Sequence, residues 1–216
     1  MAMKTFKSSL IPINEHLQEI CKQQTNVLVD YVYQVYTTKY PKTSPECVGW
    51  LDGRHNAMIR NDKLYEAGIG ITDSVLDVGC GVGHFHTYLR NHGWKGEYLG
   101  IDPNREAIDM IEEDINVKVG TIEDLDESKY NWIVASGVFN LGLKEESTFW
   151  IIHNMIQKAD KGVVFNMLKA PYDNEQYEAY DPSWVELKLS HYKPRKLEIV
   201  ENYFHDDAEF TVYFYV

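Results

Sequence analysis

Asp77, Gly79, Gly81 and Gly83 stand at alternate positions in the run Ser74-Val75-Leu76-Asp77-Val78-Gly79-Cys80-Gly81-Val82-Gly83-His84-Phe85. An acid followed by three glycines at this spacing suits a loop that holds a ligand against the main chain. Glycine tolerates positive φ and carries no Cβ, so the backbone can approach a bound molecule closely. Ser74 to Val78 is apolar apart from Ser74 and Asp77, as in a short strand covered on both faces. The residues after the glycines open a helix, whose free N–H groups and positive dipole end point into the crevice. A dinucleotide fingerprint has the spacing G-x-G-x-x-G/A, with an acid about 20 residues later. Here the spacing is G-x-G-x-G and the acid precedes it. Tyr98-Leu99-Gly100-Ile101-Asp102 reads as a second strand that ends in another acid.

The D-x-G-x-G-x-G pattern, with Asp102 after it, resembles motif I and the following strand of the class I S-adenosylmethionine (SAM) methyltransferases. The resemblance implies SAM as the cofactor, held by Asp77, Gly79, Cys80, Gly81 and Gly83 at the loop. Asp102 and Pro103 then lie where that family grips the ribose hydroxyls. Gly120-Thr121-Ile122-Glu123-Asp124-Leu125 departs from the family pattern, in which an acid directly follows the glycine and meets the adenine amino group. Thr121 takes that position here, so the ring contact falls to the backbone at Thr121 and Ile122, and the side chain that meets adenine stays open.

Val48-Gly49-Trp50-Leu51-Asp52-Gly53-Arg54, followed by Arg60, resembles a poorly characterised subgroup of the same family, as does Ala135-Ser136-Gly137-Val138-Phe139-Asn140. The likeness covers residues 45–216, including Glu209 to Tyr215. In that subgroup the Gly-Trp segment closes over the amino-acid half of SAM. Arg60 is then the candidate partner of the SAM carboxylate, since a guanidinium can grip a carboxylate through two parallel hydrogen bonds. A surface arginine on an amphipathic helix is the alternative.

The remaining elements follow from pattern. Asn14 is a plausible N-cap for a helix to about Thr37, with apolar residues from Ile20 to Val35 at helical spacing. Tyr40-Pro41-Lys42-Thr43-Ser44-Pro45 is a turn-rich break, so residues 1–45 form an arm and helix that can act as a lid, and 46–216 form the main domain. Helices are expected at His84–Asn91, Asn104–Glu113, Glu145–Lys158 and Pro182–Ser190. Strands follow at Val117–Val119, from Tyr130, and at Lys161–Met167, Leu197–Tyr203 and Glu209–Val216. The last two strands, joined through His205-Asp206-Asp207, read as a hairpin. The fold class expected is therefore α/β with an N-terminal helical appendage, and the resemblance implies the class I methyltransferase fold, a seven-stranded doubly wound sheet with an antiparallel last strand. The acidic and aromatic stretch Tyr172 to Asp181 could wall a substrate pocket.

Composition sets limits on partners. The chain has 216 residues, 44% hydrophobic and 13% aromatic, as in a folded globular protein. Acids outnumber bases 33 to 21, for a net charge of −12, which disfavours nucleic acid as a partner. Lys188, Lys193, Arg195 and Lys196 are the one basic cluster, and they read as a solvated turn. No apolar run reaches the length of a membrane span, and the first residues lack a secretory h-region, so a cytoplasmic protein is expected. Cys21, Cys47 and Cys80 are scattered and form no C-x-x-C pair, which fits reduced thiols and no metal site.

In open α/β sheets, ligands bind at the carboxyl ends of the strands, at the switch point. Ser136 to Asn140 should therefore face the transferred methyl. The N/D-P-P-Y/F run of amino-nitrogen methyltransferases is missing, as is the Pro-Cys pair of cytosine C5 enzymes. A catechol-type metal site would need carboxylates after strand four, where Ser136 and Asn140 stand, so no metal is required. His84, His86, His153 and His205 are the imidazoles that could take a proton; His84, His205 and Asn140 are the catalytic candidates. The function expected is methyl transfer to oxygen or nitrogen of a small-molecule or peptide-like acceptor. A SAM-binding regulator or inactive partner subunit is the second class, favoured if Phe139 or Trp50 plugs the pocket. A nucleotide-sugar or NAD enzyme is the third, and the glycine spacing counts against it.

Overall fold

Adjacent residues of the central strands go to opposite faces of the sheet, and both faces are buried. In β1 (Val75–Val78) and β4 (Tyr130–Ala135), Val75, Trp132 and Val134 join one apolar cluster, while Leu76, Ile133 and Ala135 join the other. This is the period-two pattern of a sheet covered by helices on both sides. The computed structural model describes residues 15–39, 53–111, 114–171, 177–203 and 208–216. The expected arm at 1–12, the Asn14 cap, the Tyr40–Pro45 break, the Gly49-Trp50 pair, residues 172–176 and His205-Asp206-Asp207 lie outside them.

β2 (Tyr98–Asp102) and β3 (Val117–Val119) add in parallel to one side of β1, and β4 and β5 (Ala159–Lys169) to the other. β8 (Glu209–Tyr215) runs antiparallel between β5 and β7 (Lys196–Val200). The order β3-β2-β1-β4-β5-β8-β7 contains the seven expected strands, with the antiparallel last strand inserted next to β5. An eighth strand, β6 (Ala179–Tyr180), pairs with the end of β5 inside the acidic and aromatic stretch Tyr172 to Asp181, where no strand is expected. The chain reverses direction across the sheet between β1 and β4, which opens a crevice at their carboxyl ends.

Helices cover each face. α2 (Gly53–Tyr65) and α3 (His84–Asn91) bring Leu64, Phe85 and Leu89 to one cluster, beside Trp94. α5 (Glu145–Lys158) and α6 (Pro182–Ser190) bring Phe149, Ile152, Met155 and Leu189 to the other. α1 (Glu15–Lys39) lies against α5, where the Ser147 hydroxyl donates to Gln24 at 2.7 Å. Among the described residues no helix is long and apolar enough to cross a membrane.

Three boundaries differ from expectation for local reasons. α4 (Arg105–Asp109) is capped by the Asn104 side chain, which accepts from the Ala107 N–H at 2.9 Å. It ends early because Met110 and Ile111 donate three residues back, to Ala107 and Ile108, tightening the last turn. β5 starts directly after α5, with Ala159 as the C-cap. β7 stops at Val200, and Asn202 at φ 61° turns the chain out of the strand.

The amino edge of the sheet is tied by Asp73. Its carboxylate accepts from the Trp132 indole at 3.0 Å, the Gly70 N–H at 2.9 Å and the Lys161 ammonium at 2.6 Å. Its carbonyl accepts from the Trp94 indole at 2.9 Å. Burial by itself would raise the Asp73 carboxyl, but the Lys161, Gly70 and Trp132 donors hold it below its ordinary 3.8. Asp73→Ala should therefore strand the buried Trp132 N–H and cost about 1–3 kcal/mol, read as a lower urea midpoint with an unchanged slope. A depressed native value stabilises the fold above pH 3.8, and that stabilisation is lost as pH falls through the native value. The deficit of the variant should therefore shrink in acid.

Candidate active site

The carboxyl ends of β1, β2 and β4 open into one cavity of about 210 Å³. The glycine loop forms its floor. Gly79, Gly81 and Gly83 have φ of 71°, 54° and 78°, the left-handed region that side chains with a Cβ adopt at a cost. At Gly79 a Cβ would also meet Val138 Cγ2 at 2.5 Å, so glycine lets the loop pack against the segment that follows β4. Three of the loop's N–H groups are tied to the second strand: Gly79 and Cys80 donate to the Ile101 carbonyl at 2.8 and 3.0 Å, and Gly81 donates to Asp102 Oδ2 at 2.9 Å. Gly83 caps α3, and His84, the first residue of that helix, is on the cavity wall.

Asp102 ends β2 with its side chain buried at the cavity wall. Oδ2 accepts from Gly81, and Oδ1 accepts from the Asn104 N–H at 2.9 Å. Each carboxylate oxygen has a second lone pair, so both can still accept a ligand hydroxyl. Burial pushes this carboxyl up to about 6, against the pull of those two N–H donors. Asp77 on β1 is also buried and on the wall, and its Oδ2 accepts from the Tyr98 hydroxyl at 2.7 Å. Burial raises it to about 7, with Tyr98 opposing and the Asp102 charge adding to the rise. The Cys80 thiol is raised too, chiefly by burial, and is held as a neutral group in contact with the loop.

Beyond β3, Thr121 N-caps the short 3₁₀ turn Ile122–Asp124. That turn settles which acid faces the cavity. Asp124 points away, accepting from the Thr121 N–H at 2.9 Å and pairing with Lys22. Glu123 lines the cavity with Thr121 and Ile122, and burial raises its carboxyl. The signal for Glu123 was present in sequence as an acid displaced from the expected position; the tight turn moves it back to the wall.

After β4, Ser136, Val138 and Asn140 line the cavity. Asn166 on β5, which no sequence motif marks, shapes this segment. Its Oδ1 accepts from the Gly137 N–H at 2.8 Å, and its amide donates to Ser136 Oγ at 2.9 Å. Asn140 ties the segment to β5, accepting from the Leu168 N–H at 3.0 Å. Phe139 is fully buried in the core, edge-on to Phe165, and is not on the cavity wall.

α1 and α2 complete the enclosure. Thr25, Leu28 and Val29 of α1 line the cavity, as do Arg60 and Asn61 of α2. Arg60 Nε lies 3.0 and 2.9 Å from the two oxygens of Glu209, and Nη2 joins the pair, so the guanidinium fork closes on a carboxylate of this chain. Glu209, the first residue of β8, is 2% exposed and also lines the cavity; the likeness at Glu209 to Tyr215 marks the segment but gives Glu209 no role. Pro103 and Tyr177 add to the wall. His86 and His153 are elsewhere: His86 accepts from Arg90 Nε at 3.1 Å, and His153 lies 3.1 Å from the Tyr192 hydroxyl. His205 and Trp50 lie outside the described residues. Among the described residues, no group of three or more His, Cys, Asp and Glu is arranged to hold a metal.

Residues 15–165 match the family model described as a methyltransferase domain. A Mycobacterium tuberculosis protein named as a methyltransferase is 34% identical over 111 residues, covering 46% of this chain and 66% of that protein. The match thus spans just under two thirds of the relative. A SAM-dependent methyltransferase from Archaeoglobus fulgidus superposes with a TM-score of 0.62 at 15% identity, over 76% of this chain and 95% of the other. The plantazolicin methyltransferase BpumL, crystallised with a desmethyl plantazolicin analogue and S-adenosylhomocysteine, superposes equally well. Its TM-score is 0.62 at 15% identity, over 94% of this chain and 99% of that one. At that identity these two structures show the fold.

The two raised carboxyls make the stability of the fold sensitive to pH. A carboxyl raised in the native state favours folding below its ordinary 3.8, and that advantage is lost as pH rises from 3.8 to about 7 for Asp77. Asp77→Asn keeps an acceptor for the Tyr98 hydroxyl and removes the ionisation. Thermal melts without ligand should find the variant more stable than the wild type at about pH 8, with the difference shrinking toward about pH 4. A variant less stable across the whole range would mean that the ionised carboxylate is a net stabiliser.

Proposed function

This chain belongs to the methyltransferase-domain family, and we propose that it binds SAM in the cavity and transfers the methyl group to oxygen or nitrogen of a small-molecule or peptide-like acceptor. The observation that carries the reading is Asp102: a buried carboxylate at the end of β2, each oxygen oriented by one backbone N–H and able to accept one more donor. That is a seat for a pair of adjacent hydroxyls, as on a ribose. The glycine loop beside it has no Cβ to keep a nucleoside away from the main chain. Ile122 and the backbone of Thr121 offer an apolar edge for a base, and Glu123 is the nearby acid for an exocyclic amino group. These residue types match the hydroxyls, ring and amino group that the cofactor would present.

SAM supplies an already activated methyl group, so the protein's part is to align donor and acceptor. Alignment of this kind contributes about 7–11 kcal/mol to lowering a barrier. Asp77, Gly79, Cys80, Gly81, Asp102 and Pro103 would hold the nucleoside half, with Gly83 off the wall as the cap of α3, and Ser136 would face the reacting end. Asn166 keeps Ser136 and Gly137 in place, and Asn140 acts through its hold on Leu168. Where the acceptor must lose a proton, His84 on the wall is the proposed base, worth about 10²–10⁴-fold. α1, with Thr25, Leu28 and Val29 on the cavity, is the proposed cover within residues 1–45, over a SAM-binding domain of 46–216. The seat of Phe139 in the core, away from the wall, supports an open site over a plugged, inactive one.

Calorimetric titration with SAM and S-adenosylhomocysteine tests this reading. The wild type should bind both, and Asp102→Ala should weaken both by at least about tenfold, the loss expected for hydrogen bonds to a charged group. Absence of binding by the wild type would overturn it.

A further inference from the structure

Asn61 is 5% exposed and lines the cavity, yet its Oδ1 is buried with no hydrogen-bond partner among the described residues. Buried side-chain oxygens nearly always have a partner, so an orphan on a cavity wall points to a donor that arrives with a ligand. Asn61 shares the inward face of α2 with Ala57 and Leu64, both buried. A leucine there would pack without leaving a polar atom unpaired, so the amide is not needed for burial. The surroundings define the donor. The described wall carries Asp77, Asp102, Glu123 and Glu209 against the single guanidinium of Arg60, and that guanidinium is closed on Glu209. The wall therefore presents several carboxyl oxygens, with its one guanidinium already closed on Glu209, which favours an N–H donor from the ligand.

Resting on the reading that the cavity binds SAM and a methyl acceptor, we propose that Asn61 accepts a hydrogen bond from an amino group of the bound ligand. That group belongs either to the amino-acid half of the cofactor or to an amine on the acceptor.

Asn61→Leu, close in size and without the acceptor, separates the two sources. The probes are S-adenosylhomocysteine, its counterpart lacking the amino group, and primary amines paired with the matching alcohols. If the cofactor supplies the donor, the wild type should prefer S-adenosylhomocysteine over the deaminated compound by roughly tenfold to a hundredfold, and the variant should lose that preference. If the acceptor supplies it, the variant should bind S-adenosylhomocysteine as the wild type does. Amines that raise the melting temperature of the wild-type complex should then no longer do so in the variant, while alcohols behave alike in both. A variant that matches the wild type on every probe overturns the proposal and leaves the SAM reading intact. A wild type that binds no S-adenosylhomocysteine overturns both. Removing an unpaired buried acceptor should not lower stability; if Asn61→Leu fails to fold, Asn61→Ala carries the same comparison.

Discussion

Burying a carboxylate next to another carboxylate is costly, and the site is organised around making that tolerable. Asp102 lies inside the fold because two backbone N–H groups, from Gly81 and Asn104, reach its oxygens. Those N–H groups can reach only because the glycine loop is left-handed at three positions and because the chain caps a helix just past β2. Asp77 is stabilised differently, by the Tyr98 hydroxyl from the neighbouring strand. Burial raises both carboxyls, and a cationic or donor-rich ligand would favour their charged forms.

The sheet places these acids where they can act. β1 pairs with β2 on one side and β4 on the other, so the loop after β1, Asp102 and the segment after β4 converge at one edge. The far half of the sheet contributes through side chains that reach back. Asn166 on β5 fixes Ser136 and Gly137, and Glu209, at the start of the antiparallel β8, meets Arg60. A strand inserted antiparallel brings its amino end to the carboxyl edge of its parallel neighbours, so the first residue of β8 arrives at the ligand site.

Arg60 illustrates how a correct location can carry a different set of contacts. The resemblance placed it at the cavity as a partner for a carboxylate, and it does lie there with its fork closed on a carboxylate. That carboxylate is Glu209, 149 residues away in sequence. An arriving acid would have to share or replace it, whereas a ligand amine would meet an environment already balanced toward acceptors.

Periodicity and turn chemistry carried much of the fold in the sequence itself. The apolar strands, the helices His84–Asn91, Glu145–Lys158 and Pro182–Ser190, and the glycine loop follow from local rules that act over a few residues. So does the position of Asp102, because a strand and its terminal acid are contiguous. What escaped was whatever depends on partners distant in the chain: Asn166 under Gly137, Asp73 under two tryptophans, Glu209 against Arg60, and β6 beside β5. The side of the 3₁₀ turn on which Glu123 and Asp124 fall was open for the same reason, since Lys22 comes from a helix about a hundred residues earlier. Local spacing decides which residues can form a loop, a strand or a cap; only the packed sheet decides which buried polar groups meet, because that pairing is set by register and burial across elements the sequence keeps far apart.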